Sequence, residues 1–175
     1  PATMFRMCDE VWRGRLPAEF VAQYSHYTKI ETEPPAELDL PAHYVAVRFT
    51  NGPASSDRPE AQNYVNELVQ ALAANGPVVA LYTGYSVEGA EFEELTLDAC
   101  EGLISLRDRV GPRQSARLET QAIAGADCCV CTMGGAVPLA MCSGIETIGL
   151  YRRQPGFASV HWAVADFTAS QLGSS

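Results

Sequence analysis

Blocks of apolar residues alternate with polar blocks along this chain, and the spacing inside each block separates strands from helices. The run "HYVAVRF" (residues 43–49) is aromatic and β-branched and predicts a strand. "NGPASSDRPE" predicts a loop. "AQNYVNELVQALAANG" places Tyr64, Leu68 and Leu72 on one helical stripe, with Gly76 suited to its end. The pattern then repeats. "PVVALYTG" predicts a strand and "EFEELTLDACEG" a short acidic helix. "LISLRD" predicts a third strand, and "SARLETQAIAGA" a helix capped by Ser115 with Glu119 in its first turns. "DCCVCTM" predicts a fourth strand, "AVPLAMCSG" a helix apolar on nearly every side, "ETIGLYRR" a fifth strand and "FASVHWAVADF" a closing helix. Residues 1–42 are less regular. Two short amphipathic helices are expected there, the second starting at Pro17, followed by a linker, "ETEPPAELDLP".

Strands that alternate with helices imply parallel βαβ units, and near-continuous apolar strands imply a sheet covered on both faces. The expected fold is therefore α/β: a Rossmann-like open parallel sheet of about five strands with helices on both faces, over residues 43–175. Residues 1–42 form a separate helical segment and linker. The length, 175 residues, suits one domain with a real core. No fixed solenoid period occurs. The net charge of −9 argues against nucleic acid or an anionic membrane as partner, while leaving room for a local basic pocket. No stretch has the apolar length of a transmembrane helix. "PATMFRMCDE" has no signal-peptide pattern and no initiating Met, so the chain is expected to be part of something longer.

Six cysteines raise the question of a metal or disulfide framework. In "CCVC", however, successive side chains point to opposite faces of a strand, so Cys128, Cys129 and Cys131 cannot converge on one ion. Cys8, Cys100 and Cys142 have no CxxC partner or nearby His. All six are expected as reduced thiols, in a cytoplasmic protein without a metal or other cofactor. His26, His43 and His161 match no metal spacing, and His161 reads as structural. Glu88, Glu91, Glu93 and Glu94 read as a solvated charge run, Ser86 and Ser105 lack a GxSxG context, and Tyr151, Arg152 and Arg153 end the fifth strand at a cleft rim.

In open parallel sheets, ligands bind beyond the carboxyl ends of the strands where strand order reverses. The strand ends here carry Arg48 and Asn51, Thr83 and Gly84, Arg107 and Asp108, and Thr132, Met133, Gly134 and Gly135. In "TMGG" a glycine pair leads directly into a helix, whose first N–H groups lack internal partners. Such a junction seats an anion, phosphate above all; it also serves as a tight turn that needs glycine only for its angles. Arg48 closes an apolar strand. Its forked guanidinium suits phosphate, and the alternative is a solvated strand end. On either reading Arg48→Ala is expected to leave the fold intact. No GxxxxGK[ST] and no GxGxxG after the first strand occur, which excludes a P-loop and a standard NAD site.

The segment "RLETQAIAGADCCVCTMGGAVPLAMCSGIETIGLY" resembles the nucleotide-sugar-binding half of a GT-B glycosyltransferase. It is similar to bacterial heptosyltransferase-like and fucosyltransferase-like enzymes. "HYVAVRF" and "NGPVVALYTG" fit the first two strands of such a half, so the resemblance covers residues 43–167. It implies transfer of a sugar from a nucleotide-sugar donor to an unknown acceptor, without a bound metal. Arg48 would contact the donor diphosphate, and Thr132, Gly134 and Gly135 would hold it. Leu106, Arg107 and Asp108 would lie near the base, and Gln121 matches a position on the family's helix, where packing is an equal role. Heptosyltransferases carry an acid beside the glycine turn, where this chain has "TMGG". A GT-B enzyme also needs a second half that supplies the acceptor site and the catalytic base. That half would be a partner N-terminal domain, with residues 1–42 as its end. The alternative is a non-catalytic Rossmann-like module that binds a nucleotide or a protein.

Overall fold

The computed structural model describes residues 28–33, 36–51, 58–81, 93–107, 109–110, 115–132, 135–150, 169–170 and 172. The elements in chain order are a 3-10 turn (Ala36–Leu38), β1 (Val45–Arg48), β2 (Thr50–Asn51), α1 (Arg58–Ala73), β3 (Val78–Ala80), β4 (Glu93–Glu94), β5 (Leu103–Ser105), α2 (Ser115–Ala124), β6 (Cys128–Thr132), α3 (Ala136–Cys142) and β7 (Glu146–Leu150). Five strands form one sheet in the order β5-β3-β1-β6-β7, and every neighbouring pair in it is parallel. This is the Rossmann-like α/β sheet that the block pattern predicts. The chain steps outward from β1 to β3 to β5, then returns to the other side of β1 for β6 and β7. Strand order therefore reverses between β1 and β6, the position where open parallel sheets leave a crevice.

Side-chain alternation splits the core in two. Ala46, Val79, Cys129 and Cys131 face α2 and α3, against Leu118, Ala122, Ile123, Ala136, Val137, Ala140 and Met141. Val47, Val78, Ala80 and Val130 face α1, against Val65 and Val69. Strands buried on both faces need the continuous apolar runs seen in the sequence. The cysteines obey the same period. Cys128 packs partly into the α1 layer, while Cys129 and Cys131 lie in the other. Among the described residues, Cys100, Cys128, Cys129, Cys131 and Cys142 are free thiols, and no cluster of metal-ligating side chains occurs.

Three expectations change. The acidic stretch 93–98 is no helix: Glu93 and Glu94 pair antiparallel with Asn51 and Thr50, and Leu95 donates its N–H to Phe49. Strand pairing with the continuation of β1 outweighs the helix propensity of Glu and Leu. On α1, Tyr64 is 57% exposed, and the buried stripe runs through Val65 and Val69 with Ala61, Leu68 and Leu72 beside it. The helix is rotated by about one position from the predicted stripe because Val65 and Val69 meet the sheet. The acidic, proline-rich stretch before β1 does not stand clear of the domain. Leu38 is 3% exposed in the α2/α3 layer, Arg109 donates to its carbonyl, and Arg117 pairs with Glu37. The helices predicted in residues 1–27, including Pro17, and the closing helix "FASVHWAVADF" lie outside the described residues. No helix among the described residues is long and apolar enough to cross a membrane.

Two glycines hold turns that other residues would strain. Gly102 (φ +84) precedes β5 and Gly144 (φ +74) follows α3. At Gly144 the helix closes with Gly144 N–H to Met141 O and Ile145 N–H to Ala140 O, the left-handed end that glycine favours.

Tyr44 lies just before β1 and ties the sheet to α2, its buried hydroxyl donating to Ala122 O at 2.6 Å. Burial, with the Asp127 charge second, pushes its phenol up to about 12. The unfolded chain releases this proton near pH 10. The folded form holds it more tightly, so this contribution is complete below about pH 10 and is lost as pH rises to about 12, about 2–3 kcal/mol in all. Tyr44→Phe is expected to cost about 1 kcal/mol at neutral pH. It should also flatten the alkaline fall in stability, as read from urea melts at pH 8 to 11.5.

Candidate functional site

The carboxyl end of β1 carries Arg48, which stands opposite Cys131 in the register with β6. Its side chain points to the α2 face, as the alternation from Ala46 requires. There Nη1 donates to Glu119 Oε2 at 2.7 Å. On the other side Nη2 lies 2.5 Å from Glu94 Oε1. Arg48 is 33% exposed, Glu94 13% and Glu119 12%. Both Glu94 oxygens are buried and neither makes a hydrogen bond, so the Arg48 contact is a charge contact only.

Beyond Arg48 the chain continues as β2. Thr50 N–H donates to Thr132 Oγ1 at 2.8 Å, and the two hydroxyls lie 2.9 Å apart. This pair closes the seam between β1 and β6 at the reversal point. Two hydroxyl protons share one hydroxyl–hydroxyl bond, so one proton remains for a further acceptor. Thr132 ends β6, and Gly135 caps α3 with φ −62 and ψ −25, exposed to solvent. Any residue adopts those angles, and a Cβ at Gly135 would meet nothing within 4 Å. Backbone geometry therefore does not require glycine at position 135, which removes the turn-only explanation there.

Below Arg48, the Cys129 thiol donates to Cys131 Sγ at 3.9 Å. This bond, helped by the Arg48 charge, lowers the Cys131 pKa against the effect of burial. The same bond, followed by burial, pushes the Cys129 thiol up.

The remaining sequence candidates are scattered. Arg107 is exposed beyond the end of β5, the edge strand two places from β1, roughly 10 Å away at ordinary strand spacing. Its N–H donates to Ser105 Oγ. Leu106 is fully buried in the core and presents nothing to a ligand. Gln121 accepts from Arg117 along α2. Asn51 pairs through β2 with Glu93. His43 is exposed at the opposite end of the sheet, 3.1 Å from Asp127. Thr83, Gly84, Asp108, Met133 and Gly134 lie outside the described residues, as do Ser86, Glu88, Glu91, His26, His161, Tyr151, Arg152 and Arg153.

The structure thus joins Arg48, Thr132 and Gly135 around one strand reversal, and adds Glu94, Glu119 and Thr50. The sequence pattern predicts a solvated charge at Glu94 and a helix-start residue at Glu119; the structure largely buries both against Arg48. The legible signal for Glu119 was its neighbourhood: an acid beside Leu118, Ala122 and Ile123 on an apolar face needs a buried cation, and Arg48 is the arginine on an apolar strand. No protein-family model matches the chain, and neither a curated protein nor a solved structure matches it.

Proposed function

We propose that this chain is the donor-binding domain of a GT-B-type glycosyltransferase, which holds a nucleotide sugar with its diphosphate over the carboxyl ends of β1 and β6. The observation that carries the proposal is the strand order β5-β3-β1-β6-β7, whose single reversal coincides with Arg48, Thr132 and Gly135. The resemblance of residues 43–167 to such a half supports it. In this reading the spare hydroxyl proton of the Thr50–Thr132 pair donates to a phosphate oxygen, and Arg48 offsets charge developing on the departing diphosphate. The acceptor and the catalytic base belong to a partner N-terminal domain. The five free cysteines among the described residues support a reducing, cytoplasmic setting.

One observation favours a second reading, a module that binds no nucleotide. Arg48 is already paired with Glu94 and Glu119, so its charge is neutralised by the protein itself. Calorimetry with a panel of nucleoside diphosphates separates the two. The donor-domain reading predicts saturable binding of at least one of them, with a preference among bases. Absence of heat for every nucleoside diphosphate, with the chain folded, favours the second reading.

A further inference from the structure

The geometry points to Glu94 as a gate on Arg48: its carboxylate occupies the guanidinium that a diphosphate would take, and anion binding requires Glu94 to withdraw. This rests on the reading of the β1–β6 reversal as a diphosphate site. Two carboxylates flank the guanidinium, and both acids are largely shielded from water. A diphosphate brought to the same guanidinium adds like charge within a few ångströms. In partly buried surroundings such repulsion is not screened as it is in bulk water. One carboxylate must leave before the remaining guanidinium N–H groups can grip an anion as a fork.

The two acids are not held alike. Glu119 lies mid-way along the ten-residue α2, beside the buried Leu118, Ala122 and Ile123, and accepts a hydrogen bond from Nη1. Glu94 lies on the two-residue β4, and its buried oxygens accept no hydrogen bond. A buried carboxylate without donors is costly, and hydration on moving outward offsets that cost. Glu94 therefore yields first. Its departure frees one side of the guanidinium and leaves Arg48 oriented by Glu119. The acidic residue on β4 sets the threshold for anion entry, and Arg48 is both cross-link and ligand in turn.

The test is titration of the full 175-residue chain with inorganic pyrophosphate at fixed ionic strength. Glu94→Gln keeps the side chain's size and removes its charge. It should tighten pyrophosphate binding by about tenfold or more, the scale of one hydrogen bond to a charged group, and it should melt at or above the parent temperature. Adding Arg48→Gln to that variant should abolish the gain. Equal affinity in parent and Glu94→Gln, both lost with Arg48→Gln, would overturn the gate and leave the diphosphate site standing. No binding by parent or Glu94→Gln, both folded, would overturn the site and the gate together. A measurement without substitution checks the same motion. The Leu95 amide, bonded to Phe49 O at 2.9 Å next to Glu94, should exchange with solvent several-fold faster in saturating pyrophosphate. Unchanged or slower exchange with pyrophosphate bound would also overturn the gate.

Discussion

Arg48→Ala is expected to destabilise the protein by about 3–5 kcal/mol, the usual cost of removing one partner from a buried ion pair. The substitution takes the guanidinium away from Glu94 and Glu119, each nearly nine-tenths buried, and leaves like charges facing the space it filled. It also unties α2 and the β2–β4 ribbon from the end of β1. The sequence had suggested that this change would spare the fold, because an arginine closing a strand reads as a side chain projecting into a cleft. The carboxylates that hold it come from 46 and 71 positions further along the chain, by difference of residue numbers, and nothing local announces them. Chemical denaturation of Arg48→Ala beside Arg48→Lys measures the effect. Lysine keeps the charge and loses the fork, so it should recover part of the stability. A variant that melts with the parent would show that the carboxylates find other partners.

Leu81→Ala is the second large effect, an expected loss of about 2–5 kcal/mol. Leu81 follows β3, is fully buried and donates its N–H to Val47 O. Truncation leaves a cavity against Leu106, Leu118 and the α2 layer, and surrounding strands in close-packed register collapse into it only in part. Tyr64→Ala is the matched control. Tyr64 is exposed on α1, so its loss should fall within about 0.5 kcal/mol. Urea denaturation of the pair reads both values. Comparable losses would mean that Tyr64 is part of the core and that the rotation of α1 described above is wrong.

The parts of the fold legible in the sequence were those written in short-range pattern. "VVAL" and "CCVC" are apolar on consecutive positions because β3 and β6 are covered on both faces, and no partner need be known to read that. On α1 the predicted stripe holds at Leu68 and Leu72, which pack against the core, and fails at Tyr64, which is exposed; Val65 and Val69 meet the sheet most directly, and only the sheet decides that. The stretch 93–98 was misread altogether. Glu-Glu-Leu favours a helix locally, and its pairing with Thr50 and Asn51 is a tertiary choice. At the candidate site, strand ends and a glycine turn leave local marks, and the structure puts the residues that carry them, Arg48, Thr132 and Gly135, at the carboxyl ends of β1 and β6. Glu94 was missed because a charge run normally faces water, and its burial follows from the β2–β4 pairing. The Thr50–Thr132 hydroxyl pair was missed for the same reason, since it exists only once β1 and β6 are neighbours.

The central claim, that the β1–β6 reversal holds a diphosphate, is tested most directly by amide chemical-shift mapping. The isotope-labelled chain is titrated with uridine diphosphate and with guanosine diphosphate. The account predicts saturable shifts for at least one of them, concentrated at the amides of Thr50, Thr132, Gly135 and Leu95 at the carboxyl ends of the strands. Shifts confined to the opposite end of the sheet, around His43 and Asp127, or no shifts at millimolar nucleotide, would contradict it.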